Sequence, residues 1–367
     1  MSLETLSALS RRYGADRNYV IAGGGNTSFK DRDTIWIKGS GVSLAEITPE
    51  GFVAMDRAKL AALWDLAETG TGAEREAAVL AGMLAARCPG EEHKRPSVET
   101  LLHDLLPAPY VVHTHPSLVN GLTCSRDGEA AMTALFGEEP LWIPLSDPGF
   151  VLANTVRRRI AERGRTPPLI FLQNHGIFVS AGAPEEIVSL YGRIMDAIDS
   201  RIRRRPLVED SDGALPAETA AAVREATAAL RDVSGGSVRF ARSGDIMRFV
   251  ESRAAFAPVS SAFTPDHIVY AGSDPLFIED SSGIAASWKT HTEQKGRPPK
   301  IAALRGLGVF GLGPTDKAAA LALELFNDTV KVAVYAESFG GYRFMTAEKI
   351  DFINNWEAEQ YRARQVN

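Results

Sequence analysis

Hydrophobic positions in the first 205 residues follow two spacings, one typical of helices and one of short strands. Leu3, Leu6 and Leu9 recur at helical intervals, and Pro49 stands where a first helical turn would begin. Apolar segments bounded by turn-forming residues have the length of strands. The pattern predicts helices at 52–66, 74–88, around Glu99, 154–163 and 184–204, and strands at 20–22, 34–38, 110–115, 169–173 and 176–180. This alternation predicts a mixed α/β domain over residues 1–205.

The segment 206–216 separates this domain from the rest of the chain. It is acidic, contains glycine and is bracketed by two prolines, a composition suited to a linker. The chain of 367 residues also exceeds the usual size of a single-core domain. Beyond the linker the pattern predicts a helix at 217–230, strands at 238–240 and 268–270, and a closing helix that includes Trp356. We therefore expect a smaller C-terminal α/β lobe over residues 217–367.

Composition narrows the classes of partner. Hydrophobic residues make up 45% and charged residues 23% of the chain, as in a globular protein with a sizeable core. The net charge of -6 gives no general attraction to nucleic acid or to anionic membranes. The N-terminus lacks the apolar core of a signal peptide, and no apolar run is long enough to span a bilayer. With only Cys88 and Cys124 as thiols, we expect a cytoplasmic protein.

The most informative stretch for chemistry contains a histidine pair, His113 and His115, on one predicted strand. Alternate residues of a strand project to the same face, so the two imidazoles would point at one place. His175 ends another apolar strand beside a glycine, where it could face the pair. Three imidazoles with an open fourth position are typical of catalytic zinc sites. The alternative is a histidine pair that packs on the sheet without a metal.

Glu99 lies near the start of the short helix that leads into the histidine strand. A partly buried carboxylate beside a cation can act as a general base. The alternative is a glutamate that only stabilises the helix through the helix dipole.

Two glycine-containing loops are candidates for binding an anion. Consecutive glycines in the loop 23–28 allow several N–H groups to point at one anion, and the loop 38–41 adds Lys38 and a hydroxyl group. Ser97 would contribute a further hydroxyl group. Together these groups could hold a phosphate, although each loop alone could be a plain turn. Neither loop has the lysine and hydroxyl positions of a Walker sequence.

A competing enzyme class comes from the segment 306–311, which matches the glycine fingerprint of dinucleotide-binding proteins. In a true fingerprint the chain turns from strand into helix within the motif. Here Val309 and Phe310 favour extended structure and Pro314 delays the helix, so the segment is interpreted as a strand. The arginine runs 157–159 and 203–205 lie in or at the end of helices and do not indicate nucleic-acid binding.

A weak internal repeat is also present. Segment 33–40 is similar to 266–273, and segment 176–182 is similar to 308–313, with a helix after each member of the second pair. Because the order agrees, duplication of one unit is expected, with the metal lost from the second copy, where Leu307 stands in place of His175. Chance similarity of short glycine-bounded strands is the alternative.

The candidate residues together resemble one known family, the class II aldolase and adducin-head family. The resemblance covers residues 16–204 and rests on five ordered motifs: Gly25-Asn26, Ser40-Gly41, Pro96-Ser97 with Glu99, His113-Thr114-His115, and Asn174-His175-Gly176. It implies a layered α/β/α domain with a mainly antiparallel central sheet. It also implies that His113, His115 and His175 hold one divalent ion, most often zinc, and that Glu99 is the catalytic base. The implied contacts to the substrate and its phosphate are Gly25, Asn26, Lys38, Ser40, Gly41 and Ser97.

The longer chain resembles the aldolase half of bacterial proteins that join a rhamnulose-phosphate-type aldolase to a short-chain dehydrogenase, through segments 22–28 and 356–362. The resemblance implies cleavage of a ketose 1-phosphate to a triose phosphate and an aldehyde through a metal-stabilised enediolate. A homo-oligomer and a separate dehydrogenase acting on the aldehyde are further expectations. Val98 departs from the family, whose sugar-phosphate aldolases often have a second serine there. Tyr191 and Tyr342 are candidates for the proton donor.

Two alternatives remain within the same family. Some members epimerise or dehydrate sugar phosphates with similar chemistry. Adducin-head proteins bind partners without catalysis and would be expected to lack the metal ligands.

Overall fold

The computed structural model describes residues 2–68, 72–208, 215–358 and 361, which fall into two compact units. The first unit comprises the described residues of Met1–Thr123, Glu129–Arg201 and Asn355–Arg362, and the second those of Cys124–Gly128 and Ile202–Asn354. Part of the expected linker, residues 209–214, lies outside the described residues. No helix in the described ranges combines the length and apolarity needed to cross a membrane.

The first unit is built on a seven-stranded sheet within the described residues, with the order β3-β2-β1-β4-β7-β6-β5. Every pair of neighbours is antiparallel except β5 and β6. The strands are β1 (Asn26–Lys30), β2 (Thr34–Lys38), β3 (Phe52–Asp56), β4 (Tyr110–Thr114), β5 (Leu141–Ile143), β6 (Leu169–Leu172) and β7 (Gly176–Ala181). The helices are α1 (Leu3–Gly14), α2 (Arg57–Ala61), α3 (Gly72–Ala85), α4 (Thr100–Leu105), α5 (Ser117–Thr123), α6 (Gly128–Phe136), α7 (Phe150–Arg163) and α8 (Pro184–Asp199). The mainly antiparallel α/β architecture expected from the family resemblance is confirmed.

The centre of this sheet is apolar because β4 and β7 are buried along their whole length. Residues from β2, β3, β4, β6 and β7 form one core with side chains of α3, α4 and α7. Three chain segments meet at one end of the sheet. Asn26, at the start of β1, pairs with His113 near the end of β4, and Thr114 pairs with Ile177 near the start of β7. The turn between β6 and β7 is therefore beside the end of β4.

Two predicted elements of the first unit are wrong. Segment 20–22 is not a strand, since Ala22 adopts a left-handed φ of 52° and the strand starts only at Asn26. Segment 52–66 is not one helix. Phe52–Asp56 pairs with β2 as an edge strand, and the helical spacing comes from Arg57–Ala61 and the 3₁₀ segment Ala62–Glu68 that follow it.

The second unit contains a four-stranded sheet among the described residues, with the order β8-β11-β10-β9. Its strands are β8 (Ser237–Ala241), β9 (Leu276–Ile278), β10 (Ile301–Leu304) and β11 (Gly308–Gly313). Its helices are α9 (Ala217–Ser234), α10 (Gly244–Phe249), α11 (Arg253–Phe256), α12 (Ile284–Lys295), α13 (Asp316–Ala336) and α14 (Ala347–Asn355). The predicted strand 268–270 is wrong, because His267–Ala271 is a fully buried π-helix. A short apolar run cannot be assigned to strand or helix by periodicity alone.

The second sheet repeats the connectivity of half of the first sheet. The order β4-β7-β6-β5 and the order β8-β11-β10-β9 have the same strand directions, with the last pair parallel in each. One backbone bond also recurs: Gln173 N donates to Ile143 O in the first, and Arg305 N donates to Ile278 O in the second. The similarity of 33–40 to 266–273 does not extend to structure, since one segment forms a strand and the other a π-helix. The proposed duplication thus rests on β7, β11 and their neighbours.

Candidate active site

Three imidazole rings converge at the end of β4. The ring centroids of His113, His115 and His175 lie 4.7 to 5.0 Å from one another. One ring nitrogen from each lies within 4.8 Å of the other two. The sequence predicted two of these rings on one strand, and the structure shows that the third reaches them from the turn between β6 and β7. A group of this kind has the donor atoms and spacing of a divalent metal site.

The turn that carries His175 depends on its neighbours. Asn174 has a left-handed φ of 57°, which asparagine adopts more readily than most residues. A Cβ atom at Gly176 would lie 2.4 Å from Thr114 O and 2.8 Å from His115 Cδ2. Only glycine allows this close approach, so the local geometry requires glycine at position 176 and favours asparagine at position 174.

The tautomer of His113 is set by the sheet. His113 Nδ1 lies 3.0 Å from Ile177 O, a backbone acceptor, so Nδ1 carries the hydrogen and Nε2 presents its lone pair. The ring is fully buried and stacks on Phe178 with 4.1 Å between centroids. His113 Nε2 points to the cluster, 2.9 Å from His115 Nε2. A backbone acceptor on the remote nitrogen is the usual arrangement for a metal-binding histidine.

Glu99 lies against this cluster. Its Oε1 atom is 3.5 Å from His113 Nε2 and 3.8 Å from His175 Nε2. The same oxygen is buried and has no hydrogen-bond partner among the residues that the structure describes. A buried carboxylate oxygen without a donor is unfavourable unless a cation is close to it. The donor set and this oxygen therefore fit a divalent ion held by the three histidines.

The candidate phosphate contacts fall into two groups. Asn26 and Ser97 adjoin Glu99, because Asn26 Nδ2 donates to Ser97 Oγ at 3.2 Å and to Glu99 Oε2 at 2.6 Å. Gly25 has a left-handed φ of 65°, and a Cβ atom there would lie 2.8 Å from His113 O. This first group is at the histidine cluster.

The second group lies on the loop after β2. Lys38 Nζ donates to Gly23 O at 3.3 Å, which joins this loop to the glycine-rich loop. Ser40 N donates to Arg95 O at 2.8 Å, which places the loop beside the segment before Ser97. Gly41 is exposed, with a left-handed φ of 86°. The structure therefore brings the two glycine loops and the Ser97 segment next to one another.

One further residue adjoins the site that sequence reasoning did not assign to it. His103, one helical turn after Glu99, contacts the side chains of Asn26 and Ser28. The connection of His103 to Glu99 runs through Asn26. Pairing of β1 with α4 side chains could not be derived from a local pattern.

The two tyrosine candidates belong to different units. Tyr191 OH lies 2.7 Å from Thr114 Oγ1, and Thr114 projects from the opposite face of β4 to His113. Burial raises the pKa of Tyr191 well above its ordinary value. These facts argue against Tyr191 as proton donor. Tyr342 belongs to the second unit, where its ring lies 5.7 Å from the guanidinium of Arg126.

The layered sheet and the histidine–glutamate cluster define a candidate metal-dependent enzyme. Comparison with known families agrees: residues 4–197 match the class II aldolase and adducin N-terminal domain, and residues 285–362 match the second domain of class II aldolases. The first match alone covers more than half of the chain. The protein therefore belongs to the class II aldolase and adducin family.

Individual relatives share about a quarter or less of their residues with this chain. The uncharacterized oxidoreductase YuxG of Bacillus subtilis (strain 168) is 24% identical over 408 residues, which cover 98% of this chain and 58% of the relative. Among solved structures, the N-terminal class II aldolase domain of a conserved protein from Thermoplasma acidophilum is 25% identical, with a TM-score of 0.48, covering 55% of this chain and 94% of that one. The L-fuculose-1-phosphate aldolase of Thermus thermophilus is 21% identical, with a TM-score of 0.35, covering 54% of this chain and 93% of that one.

Proposed function

We propose that the protein is a metal-dependent aldolase that cleaves a ketose 1-phosphate, of the rhamnulose-1-phosphate type, to a triose phosphate and an aldehyde. One observation carries the proposal: a buried carboxylate oxygen of Glu99 faces three converging imidazoles and has no donor of its own among the described residues. Carbon–carbon cleavage leaves negative charge on the substrate. A cation held by the three imidazoles would stabilise that charge, and the Glu99 carboxylate could move a proton.

The three histidines are proposed to hold one divalent ion, zinc by preference of the ligand set. When bound, such an ion supplies Lewis-acid stabilisation of the charge that develops on the substrate oxygen next to the breaking bond. His113 is held for this role by Ile177 O, and Gly176 keeps the His175 turn against His115. The protein thereby fixes the ligand geometry before substrate arrives.

Glu99 is proposed to move the proton. Asn26 holds its Oε2 atom, so Oε1 is the atom that can take a proton from a hydroxyl group or from carbon at the cluster. A general base must come within hydrogen-bond reach of the proton that it abstracts. Because Oε1 lies within 4 Å of two histidine nitrogens, a substrate that enters beside them meets this condition.

The phosphate is assigned to the two glycine loops. Lys38 provides a cation, and consecutive N–H groups in a glycine-rich turn can bind an anion. Ser97 Oγ accepts hydrogen bonds from Asn26 Nδ2 and Glu99 N, which leaves its own hydrogen as a donor for a ligand. The proposed contacts are Gly25, Asn26, Lys38, Ser40, Gly41 and Ser97.

The test is a screen of ketose 1-phosphates with purified protein, with triose-phosphate release measured by a coupled dehydrogenase assay. We expect metal-dependent release that is abolished by Glu99→Gln, whose amide is nearly isosteric but cannot accept the proton. Metal content should be the same in the variant. Release at the wild-type rate by Glu99→Gln would remove Glu99 from the mechanism, and no release from any ketose 1-phosphate would remove the aldolase proposal.

The same screen separates the alternative enzymes of the family. An epimerase would return an isomer and a dehydratase would release water, and neither would form a triose phosphate. The presence of all three candidate metal ligands favours catalysis over an adducin-like binding role. We also propose that a dehydrogenase consumes the aldehyde, because a relative of this chain is named an oxidoreductase. The chain spans 58% of that relative. Formation of a homo-oligomer remains a prediction.

A further inference from the structure

A chain of side-chain hydrogen bonds leads from Ser28 to Glu99. Ser28 Oγ lies 2.7 Å from His103 Nδ1, His103 Nε2 contacts Asn26 Oδ1, and Asn26 Nδ2 donates to Glu99 Oε2 at 2.6 Å. All four side chains are buried. Burial keeps bulk water from replacing any of these contacts. The orientation of each side chain therefore depends on its hydrogen-bond partners.

The donors and acceptors in this series of hydrogen bonds follow from the chemistry of the atoms. Asn26 Oδ1 can only accept a hydrogen bond, so His103 Nε2 must carry a hydrogen. In a neutral imidazole Nδ1 is then an acceptor, and it accepts from the Ser28 hydroxyl group. Burial lowers the pKa of His103 well below its ordinary value, which keeps the ring neutral.

This direction selects one orientation of the Asn26 amide. If the amide were rotated by half a turn, Oδ1 would face the Glu99 carboxylate and Nδ2 would face the Nε2–H group of His103. The contact with Glu99 would be repulsive in either tautomer of His103, and the contact with His103 would be repulsive while Nε2 carries the hydrogen. Asn26 therefore presents its N–H group to Glu99 Oε2 while His103 holds its Oδ1 atom, and the other oxygen of Glu99 is left to face His113.

We propose that His103 is a positioning residue that acts through Asn26 to hold the Glu99 carboxylate with Oε1 toward the histidine cluster. His103 itself has no contact with the proposed substrate. The effect of His103 on catalysis rests on the proposed function. Its effect on the orientation of Asn26 and Glu99 is independent of that function. Removal of such a supporting partner commonly costs 10- to 100-fold in activity or metal affinity, so an effect on the order of 10- to 100-fold is expected here.

The test compares His103→Phe with His103→Gln. Phenylalanine fills the space without a donor, whereas glutamine can place an N–H group near the former Nε2 position. For His103→Phe we expect kcat for ketose 1-phosphate cleavage to fall about 10- to 100-fold, with KM and bound metal nearly unchanged. For His103→Gln we expect recovery of most of that loss. Crystal structures should show a displaced Asn26 amide and Glu99 carboxylate in His103→Phe only.

Two controls separate positioning from a loosened helix. Leu105→Ala truncates a partly buried residue of the same helix that packs on the core and makes no contact in the chain of hydrogen bonds. It should lose stability and keep kcat. The double variant His103→Phe/Asn26→Ala should be no slower than Asn26→Ala, because the first change acts only through the second.

The results that overturn the proposal are specific. Wild-type kcat in His103→Phe, additive losses in the double variant, or an unmoved Asn26 and Glu99 in the variant crystal structure would each do so. If the wild-type protein cleaves no ketose 1-phosphate, the proposed function fails by itself. The crystallographic comparison then decides the positioning role without any activity.

Discussion

Single residues decide whether the candidate metal site can form. His113 is held by a backbone acceptor and by stacking on Phe178, whereas His115 is only partly buried and follows the last residue of β4. His175 depends on the turn around it. The three candidate ligands are therefore held by different parts of the chain. Each histidine can be substituted separately to test its role.

The first prediction concerns His115→Ala. Zinc binds to four-ligand structural sites with a free energy of about 10–16 kcal/mol. Loss of one of three ligands should therefore weaken metal binding on the order of 100-fold or more. Metal analysis of dialysed protein should find stoichiometric metal in the wild type and little in the variant. His93→Ala, which changes an exposed histidine, is the matched control and should keep its metal. Full metal occupancy in His115→Ala would exclude this residue as a ligand.

The second prediction concerns a buried cation, Lys30. Its Nζ atom donates to Ala108 O at 2.8 Å, and burial lowers its pKa from 10.5 to about 7, with Asp104 opposing and Arg57 adding to the shift. Between these two values the unfolded chain binds a proton that the folded chain does not. The free energy of unfolding should therefore rise with pH from about 7 to 10.5, and fall as the pH returns toward 7.

Lys30→Met tests this directly, because it removes the buried charge. A tenfold difference in proton affinity corresponds to about 1.4 kcal/mol, so the variant should gain on the order of 1 kcal/mol or more relative to wild type at pH 7. The gain should shrink toward pH 10 in denaturant titrations at each pH. Lys59→Met, an exposed lysine of α2, should show no such trend. A gain that is constant from pH 7 to 10 would contradict the buried-charge explanation.

At the scale of elements, the β6–β7 turn is the part of the fold most closely tied to the site. It connects two strands of the core and carries His175 between a left-handed Asn174 and a glycine against which His115 packs. The turn thus couples strand pairing to ligand position. A change that only displaces the backbone here should affect stability and metal binding together.

The third prediction follows from that coupling. In Gly176→Ala the added Cβ atom must move Thr114 O or His115, and overpacking of this kind costs about 1–3 kcal/mol. We expect a lower free energy of unfolding and weaker metal binding. Gly182→Ala, at the other end of β7, would meet only Glu186 Oε2 at 3.4 Å and should be tolerated. A variant at Gly176 with wild-type stability and metal affinity would show that the turn is not constrained.

Local patterns predicted the elements that carry the site but not how they come together. The His113–His115 strand and the segment before Gly176 were found because alternation and length identify buried strands. The edge strand Phe52–Asp56 was missed because it is five residues long and leads directly into a helix. The contact of His103 with Asn26 links residues 77 positions apart, and no local spacing encodes such a pair.

At the scale of the whole chain, the two sheets can be compared position by position. In the first sheet His113 pairs with Phe178, two residues after Gly176, and the rings of this pair stack. In the second sheet Phe240 pairs with Phe310, two residues after Gly308, and these rings are 5.0 Å apart. Phe240 thus corresponds to His113, which extends the proposed duplication from strand order to a side-chain pair.

The same correspondence accounts for the absence of an equivalent metal cluster from the described part of the second unit. Arg242, two residues after Phe240, occupies the position that corresponds to His115. Leu307, immediately before Gly308, occupies the position that corresponds to His175. A phenyl ring and an alkyl chain have no ligand atom, and a guanidinium is a cation. Each of the three proposed ligand positions is therefore occupied by a side chain that cannot bind a divalent cation.

The last prediction is that each chain binds one metal ion and not two. Titration of metal-free protein with Zn²⁺ should saturate at one tight site, and that site should be lost in His115→Ala, while Arg242→Ala leaves it unchanged. Because a ligand that binds only the folded state stabilises it, metal should raise the Tm of the wild type and of Arg242→Ala and have little effect on His115→Ala. A second tight site that survives the loss of His115 would place metal chemistry in the second unit and remove the basis for interpreting it as a copy without metal.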